Sequence, residues 1–350
     1  GTVLRTTDDG TSWQRCSTPP GADHLDFRGI QAFDRNTAIV MSSGKGGLSR
    51  LYKTNDGCKS WKLVFTNPDK EGFWDAIKFP NRDLGFLLGD PVSSHFSKPD
   101  TYNVKTKFKE FALFATQDGG EHFKRVRLTG NVAQPEEQGA FAASNSSMFV
   151  GWPFIYFGSG GIAGPRVYLN AFQQHIAYAD SRIEIESGEW GSNSWPLPLA
   201  KGEAAGVFSI AFKRSQHNEK EDGSGTSRLL NLGGIAVGGD YKKPAEQAGT
   251  SATTNDGGQT WTAAQTPPHG YRSSVAYDFT TQIWVTVGPN GTDISRDDGA
   301  NWVALKPSAQ DQPDADKNWN ALSLPFAVGP NGRIGELRRG ALRAVKRSAN

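Results

Sequence analysis

The sequence predicts an all-β fold built from repeated, small, four-stranded antiparallel sheets, and three observations carry that prediction. An eight-residue pattern recurs five times: Ser or Thr, a spacer, Asp, two turn residues usually including Gly, a spacer, a small polar residue and an aromatic. Short apolar runs of strand length sit at matching places around each copy. The composition, with 41 glycines, 11% aromatic residues and no long apolar helical pattern, belongs to all-β chains.

The five copies run from Thr6 to Trp13, Thr54 to Trp61, Thr116 to Phe123, Thr254 to Trp261 and Ser295 to Trp302, and a worn sixth ends at Ser194-Trp195. Asp or Asn followed by Gly supplies the positive-φ positions of a tight hairpin, and the Asp side chain bonds nearby backbone donors. This assigns turn-building roles to Asp8, Asp56, Asp118, Asp256 and Asp297. Packing roles fall to Trp13, Trp61, Phe123, Trp261 and Trp302 at the head of each return strand. The pattern resembles the Asp-box, or BNR, repeat, which in known families closes the two outer strands of a β-propeller blade.

Terminal aromatics recur at intervals of 41 to 72 residues, as expected of a blade of about 40 to 50 residues carrying insertions. Inner strands are expected at Phe27–Ile30, Trp74–Ile77, Gly139–Ala142, Gly206–Ser209, Arg272–Val275 and Asn320–Ser323. Second strands are expected at Ala38–Met41, Gly85–Asp90, Ile155–Gly158, Ile235–Asp240, Trp284–Gly288 and Phe326–Gly329. Third strands number seven, counting one ahead of Thr6 and another at Arg333–Leu337. The register therefore predicts a seven-bladed β-propeller of four-stranded antiparallel blades, with the first two strands of blade one upstream of Gly1; a six-bladed ring is the alternative. Residues 1–337 form one propeller domain in this reading, and residues 338–350 a basic tail expected to be a solvated terminus, with a docking or anionic-surface helix as the alternative.

Several function classes lack their signatures. A net charge of +2 gives no strong field for nucleic acid, and no apolar stretch is long enough to span a membrane. The six histidines have no metal-ligand spacing, no nucleophile elbow or Walker loop is present, and no cofactor is implied. Cys16 and Cys58 are the only cysteines. Cys58 stands at a glycine position of its turn, so a tolerated turn substitution is favoured over a bridge to Cys16. The chain begins at Gly1 without Met, in keeping with either removal of a precursor segment or a fragment of a longer chain, and the expected location is outside the cytoplasm: periplasmic, lumenal or secreted.

Loops entering the inner strands and leaving the second strands should surround the channel mouth. They supply Arg28, Asp75 and Arg272 at inner-strand starts and Asp90, Asp240, Tyr241 and Lys242 after second strands. Lys45, Lys98, Lys105, Lys107, Lys109 and Lys243 would add a basic rim suited to acidic protein partners, or else be solvated lysines without one. The insertion from Ser93 to Glu110 stands out, since loops of its length are uncommon without a role.

The rhythm of inner strand, Val-Gly second strand and Thr-x-Asp-Gly-Gly-x-Thr-Trp box, seen at Gly234–Gly239 leading to Thr254–Trp261 and at Val287–Gly291 leading to Ser295–Trp302, resembles the photosystem II stability/assembly factor-like family. The resemblance implies a non-enzymatic scaffold that holds a protein, including a membrane-protein complex, against a positive patch, for which Arg28 and Arg272 are the similar positions. Distant similarity to sialidase-type propellers implies two alternatives. One is a glycoside hydrolase using carboxylates from Asp75, Asp90 and Asp240, although Phe27-Arg28-Gly29-Ile30 departs from the sialidase arginine segment. The other is carbohydrate binding through exposed Tyr241 and Trp74.

Overall fold

The computed structural model describes residues 1–93, 109–126, 128–129, 138–151, 154–171, 190–213 and 232–344. Lys98, Lys105 and Lys107 of the insertion from Ser93 to Glu110, residues 214–231 and the tail beyond Ala344 lie outside them. Two compact units divide the chain: residues 1–155 with 169–193, and residues 156–168 with 194–350. One continuous domain over residues 1–337 was expected.

In the first unit, β1 (Leu4–Arg5) and β2 (Gln14–Arg15) form a two-stranded sheet. β3 (Phe27–Ala32), β4 (Ala38–Ser42), β5 (Arg50–Thr54) and β6 (Lys62–Thr66) form a four-stranded antiparallel meander. β7 (Trp74–Lys78), β8 (Gly85–Ser93), β9 (Lys109–Thr116) and β10 (Lys124–Arg125) form a second. β11 (Leu128–Thr129) and β12 (Met148–Gly151) follow. The chain crosses between the units within β13 (Phe154–Gly161), β14 (Arg166–Ala171) and β15 (Trp190–Pro196).

The second unit contains a meander of β16 (Gly202–Phe212), β17 (Gly234–Asp240), β18 (Ser251–Thr254) and β19 (Thr262–Ala263). Another is made by β20 (Ser274–Asp278), β21 (Ile283–Gly288), β22 (Gly291–Ser295) and β23 (Val303–Ala304). A three-stranded sheet of β24 (Ala321–Ser323), β25 (Phe326–Val328) and β26 (Ile334–Glu336) ends in the short helix α1 (Arg339–Ala344). Four meanders are thus complete among the described residues, where seven were expected. The expected inner strand at Gly139–Ala142 is irregular apart from a single bridge residue.

Within each unit the sheets are arranged as propeller blades are, with inner strands side by side and side chains joining strands whose backbones do not pair. Asn145 accepts from the Ile77 amide of β7 at 2.8 Å and donates to the Ile30 carbonyl of β3 at 3.2 Å. In the second unit Ser209 Oγ accepts from the Val275 amide at 3.0 Å, and Ser274 Oγ from the Leu322 amide at 3.2 Å. These bonds satisfy buried edge amides that would otherwise be orphaned.

The repeated turn explains its own consensus. Thr54 Oγ1 donates to Asp56 Oδ1 at 2.8 Å and accepts from the Cys58 amide at 3.0 Å. Asp56 then accepts from the Ser60 amide at 3.0 Å and from its hydroxyl at 2.6 Å. The Thr or Ser bond to Asp and the Asp bond to the backbone amide four residues on recur at Asp8, Asp118, Asp256 and Asp297. The Ser12 and Ser60 hydroxyls, followed by their amides, hold the Asp8 and Asp56 carboxyls down at about 2. The aromatics that follow pack to different depths: Trp302 is 1% exposed and Trp61 7%, whereas Trp13 is 37% exposed.

Two expectations are corrected in this architecture. Cys16 and Cys58 form a disulfide with a Cα–Cα separation of 5.2 Å, because the Ser17 amide bonds the Cys58 carbonyl at 3.1 Å and brings the end of β2 onto the turn. The basic tail is not simply solvated: α1 buries Leu342 completely against Ile283, Val285, Ile294 and Leu305. No helix among the described residues is long and apolar enough to cross a membrane.

Candidate functional site

Arg28, Asp75 and Asp90 come together in the first unit. The register places Trp74 of β7 opposite Gly89 of β8, so Asp75 and Asp90 follow adjacent strand positions, while Arg28 sits on the neighbouring inner strand β3. Asp75 is 1% exposed, and its Oδ2 has no hydrogen-bond partner among the described residues. Burial, then the Asp90 charge, pushes its carboxyl well above the usual carboxylate range, and Arg28 opposes the rise. Half-buried Asp90 accepts from the Ala140 amide at 2.9 Å, yet burial still lifts it to about 6. Arg28 is exposed, bonds Asp26 at 2.8 Å and lies 5.9 Å above the centre of the Phe73 ring.

The arrangement is therefore an exposed cation beside a buried, interacting acid pair whose carboxyls are both held above the usual carboxylate range. Folded-state values above the unfolded one mean that the fold binds more protons than the unfolded chain between about pH 4 and the raised value. The pair's contribution to stability is accordingly greatest below the unfolded carboxylate value, and it declines as pH rises through about 6. Asp90→Asn keeps the acceptor for Ala140 and removes the titration. It should stabilise the protein by about 1–3 kcal/mol at pH 8 and by almost nothing at pH 4. Urea unfolding at the two pH values reads this directly; an equal effect at both would refute it.

Arg272 is corrected. It was expected to present charge at the mouth, but it is 0% exposed and tied to Asp293, which is also 0% exposed. Its Nε donates to Asp293 Oδ2 at 3.0 Å, its second terminal nitrogen reaches the same oxygen, and its first donates to the Tyr271 carbonyl at 2.9 Å. His269 Nδ1 lies 2.5 Å from the other Asp293 oxygen. A buried guanidinium demands such partners, and position in the repeat alone did not reveal them.

Asp240, Tyr241 and Lys242 lie in the second unit, just beyond the core of β17. Asp240 accepts from the Lys242 amide at 2.9 Å and lines a cleft of about 330 Å³ together with Lys201, Lys243 and Glu246. Tyr241 is 49% exposed, with its ring edge-on to Phe208, while Lys242 is exposed. Of the other rim lysines, Lys45 pairs with Glu71 at 2.5 Å and Lys243 with Glu246 at 3.7 Å. Trp74 is fully buried and stacked on Phe65, so it offers no face to a sugar. Sequence reasoning missed Asn145 and Asp293. The first appeared only in a chance glycosylation-like triplet, and the second sits in the middle of a fully buried strand, Gly291–Ser295, whose Gly-Thr-Asp-Ile-Ser sequence gives no sign of that burial.

These features define a repeat protein of propeller-like antiparallel sheets carrying a charged loop site. No family model matches the chain, and no curated protein matches it. Among solved structures, the chain is similar to YCF48 bound to D1 peptide at 12% identity and a TM-score of 0.45, covering 91% of this chain and 79% of that one. Similarity to YCF48 from Cyanidioschyzon merolae is at 13% identity and a TM-score of 0.43, covering 81% and 70%. A GH74 xyloglucanase from Xanthomonas campestris shows 14% identity and a TM-score of 0.31, covering 91% of this chain and 48% of the enzyme. Identities and scores at this level leave function to the residues themselves.

Proposed function

We propose that the protein is a non-enzymatic binding propeller that recognises a protein partner, such as a subunit of a membrane-protein complex, through the face where Arg28, Asp75 and Asp90 gather. The repeat register supports reading the turns as Asp boxes and the whole as seven blades, with Asp240, Tyr241 and Lys242 at equivalent positions in the second unit. The observation that carries the reading is the burial of Asp75 beneath an exposed Arg28. Glycoside hydrolysis needs two carboxyls that reach one glycosidic bond. Asp75 has almost no exposed surface, and Asp90 already serves the Ala140 amide. What remains at the surface is a cation with an aromatic beneath it, suited to an acidic segment of a partner. The Cys16–Cys58 disulfide supports a location outside the cytoplasm.

Arg28→Glu is the test. Affinity purification from the native source should recover a partner with the wild-type chain and lose it at least tenfold with the variant, at an unchanged melting temperature. Undiminished recovery with Arg28→Glu would sink this reading. Half-exposed Tyr241 beside the Asp240 cleft favours carbohydrate binding without turnover as a second reading. Tyr241→Ala should abolish retention on a glycan array if it holds.

A further inference from the structure

In the second unit, a box aromatic fills the space between one sheet and the sheet before it. Trp302, at the head of β23, packs among Ile235 and Val237 of β17 and Val275 of β20. Its Nε1 donates to Ser251 Oγ at 3.2 Å. The next pair of sheets repeats these positions in register. Ser251 stands opposite Val237 as Thr292 stands opposite Val287. Val285 takes the place of Ile235, two residues back along the strand. Leu322 takes the place of Val275, since the amide of each donates to a serine hydroxyl of the preceding inner strand.

Among the described residues the last sheet carries no such turn and aromatic. β26 leads through Leu337 and Arg338 into α1, and among the described residues no strand pairs with its outer edge. The positions that enclose Trp302 one sheet earlier, now Val285, Val287, Thr292 and Leu322, instead line a cleft of about 340 Å³. Leu342 of α1 packs on Val285 from one side and leaves the cleft open. Its size falls within the roughly 300–1,000 Å³ of ligand-binding clefts. Asp316, 6% exposed, also lines it; its Oδ1 has no hydrogen-bond partner among the described residues, and Lys306 stands 3.7 Å from the other oxygen.

We propose that this cleft receives an extended segment of a partner protein, which pairs with the open edge of β26 and inserts a tryptophan between the two sheets. Backbone pairing to an open sheet edge supplies affinity, and the slot for one side chain supplies specificity. The indole N–H would donate to Thr292 Oγ1, as that of Trp302 does to Ser251, or to the unfilled oxygen of Asp316. This site is independent of Arg28 and of the face around it.

The probe is a fluorescently labelled peptide with the sequence of residues 295–304, the chain's own box and return strand, titrated into the full chain by anisotropy. Saturable binding is expected, weakened at least tenfold when the peptide's tryptophan is replaced by alanine. Ala327→Phe, which narrows the cleft, should weaken it similarly, with Ala327→Leu as the milder variant should the first fail to fold; Arg28→Glu should bind as the wild type does. Absence of saturable binding, or binding indifferent to the tryptophan, would overturn the proposal.

Discussion

Replacing Arg272 with methionine is expected to destabilise the protein by about 3–5 kcal/mol, the loss typical of breaking one side of a buried ion pair. The cause is the partner left behind. Asp293 has no exposed surface and accepts two bonds from Arg272, so without the guanidinium a carboxylate remains buried against His269 alone. Asp293→Leu should cost a similar amount by stranding the guanidinium. The double variant should recover much of the loss, because an apolar pair of similar volume avoids both desolvation penalties. Urea denaturation of the four proteins gives the coupling directly. A loss below about 1 kcal/mol in Arg272→Met would show that water reaches the pair.

The same residue marks where the sequence is silent. Its position at an inner-strand start was legible from the repeat, as was that of Arg28, yet one faces solvent and the other is sealed beside Asp293. Repeat register assigns a residue to a blade end; it does not say which way a long side chain turns, and for Arg272 that depends on Asp293, 21 residues away in another strand. The acid pair shows the favourable case. Asp75 and Asp90 flank the aligned Trp74–Gly89 pair of two adjacent strands, so the strand assignments put both at the same end of one sheet, where their charges interact. Strand positions were legible wherever apolar runs bordered a turn, and failed at Gly139–Ala142, where Ala-Phe-Ala carries too little branched apolar surface to hold a regular strand. The last sheet's departure was legible as a missing box after Leu337, although α1 was not expected to fill part of the space.

The disulfide is hidden in the sequence for a physical reason that also yields the second large effect. Cys58 has a φ of 65°, the conformation that glycines hold at the same position of the other turns, with Gly120 at 85° and Gly258 at 91°. A side chain there is strained by about 1–2 kcal/mol, which made the substitution look like mere tolerance. The cross-link compensates by closing a segment with a sequence separation of 42 residues, for which the chain-entropy model gives about 4 kcal/mol. It also anchors the sheet of β1 and β2, whose other ties to this turn include Arg5 donating to the Gly57 carbonyl at 3.1 Å and Trp61 Nε1 donating to the Ser17 carbonyl at 3.0 Å. The two terms separate experimentally. Cys16→Ser with Cys58→Ser should lose about 3–4 kcal/mol, since the cross-link goes and the strain stays. Cys16→Ser with Cys58→Gly should lose about 1–2 kcal/mol less, since glycine occupies positive φ freely. Hydrogen exchange should place the damage of both variants first at Leu4, Arg5, Gln14 and Arg15. Equal losses in the two double variants would mean that the turn carries no strain, and undiminished protection of β1 and β2 would mean that the hydrogen bonds hold that sheet without the disulfide.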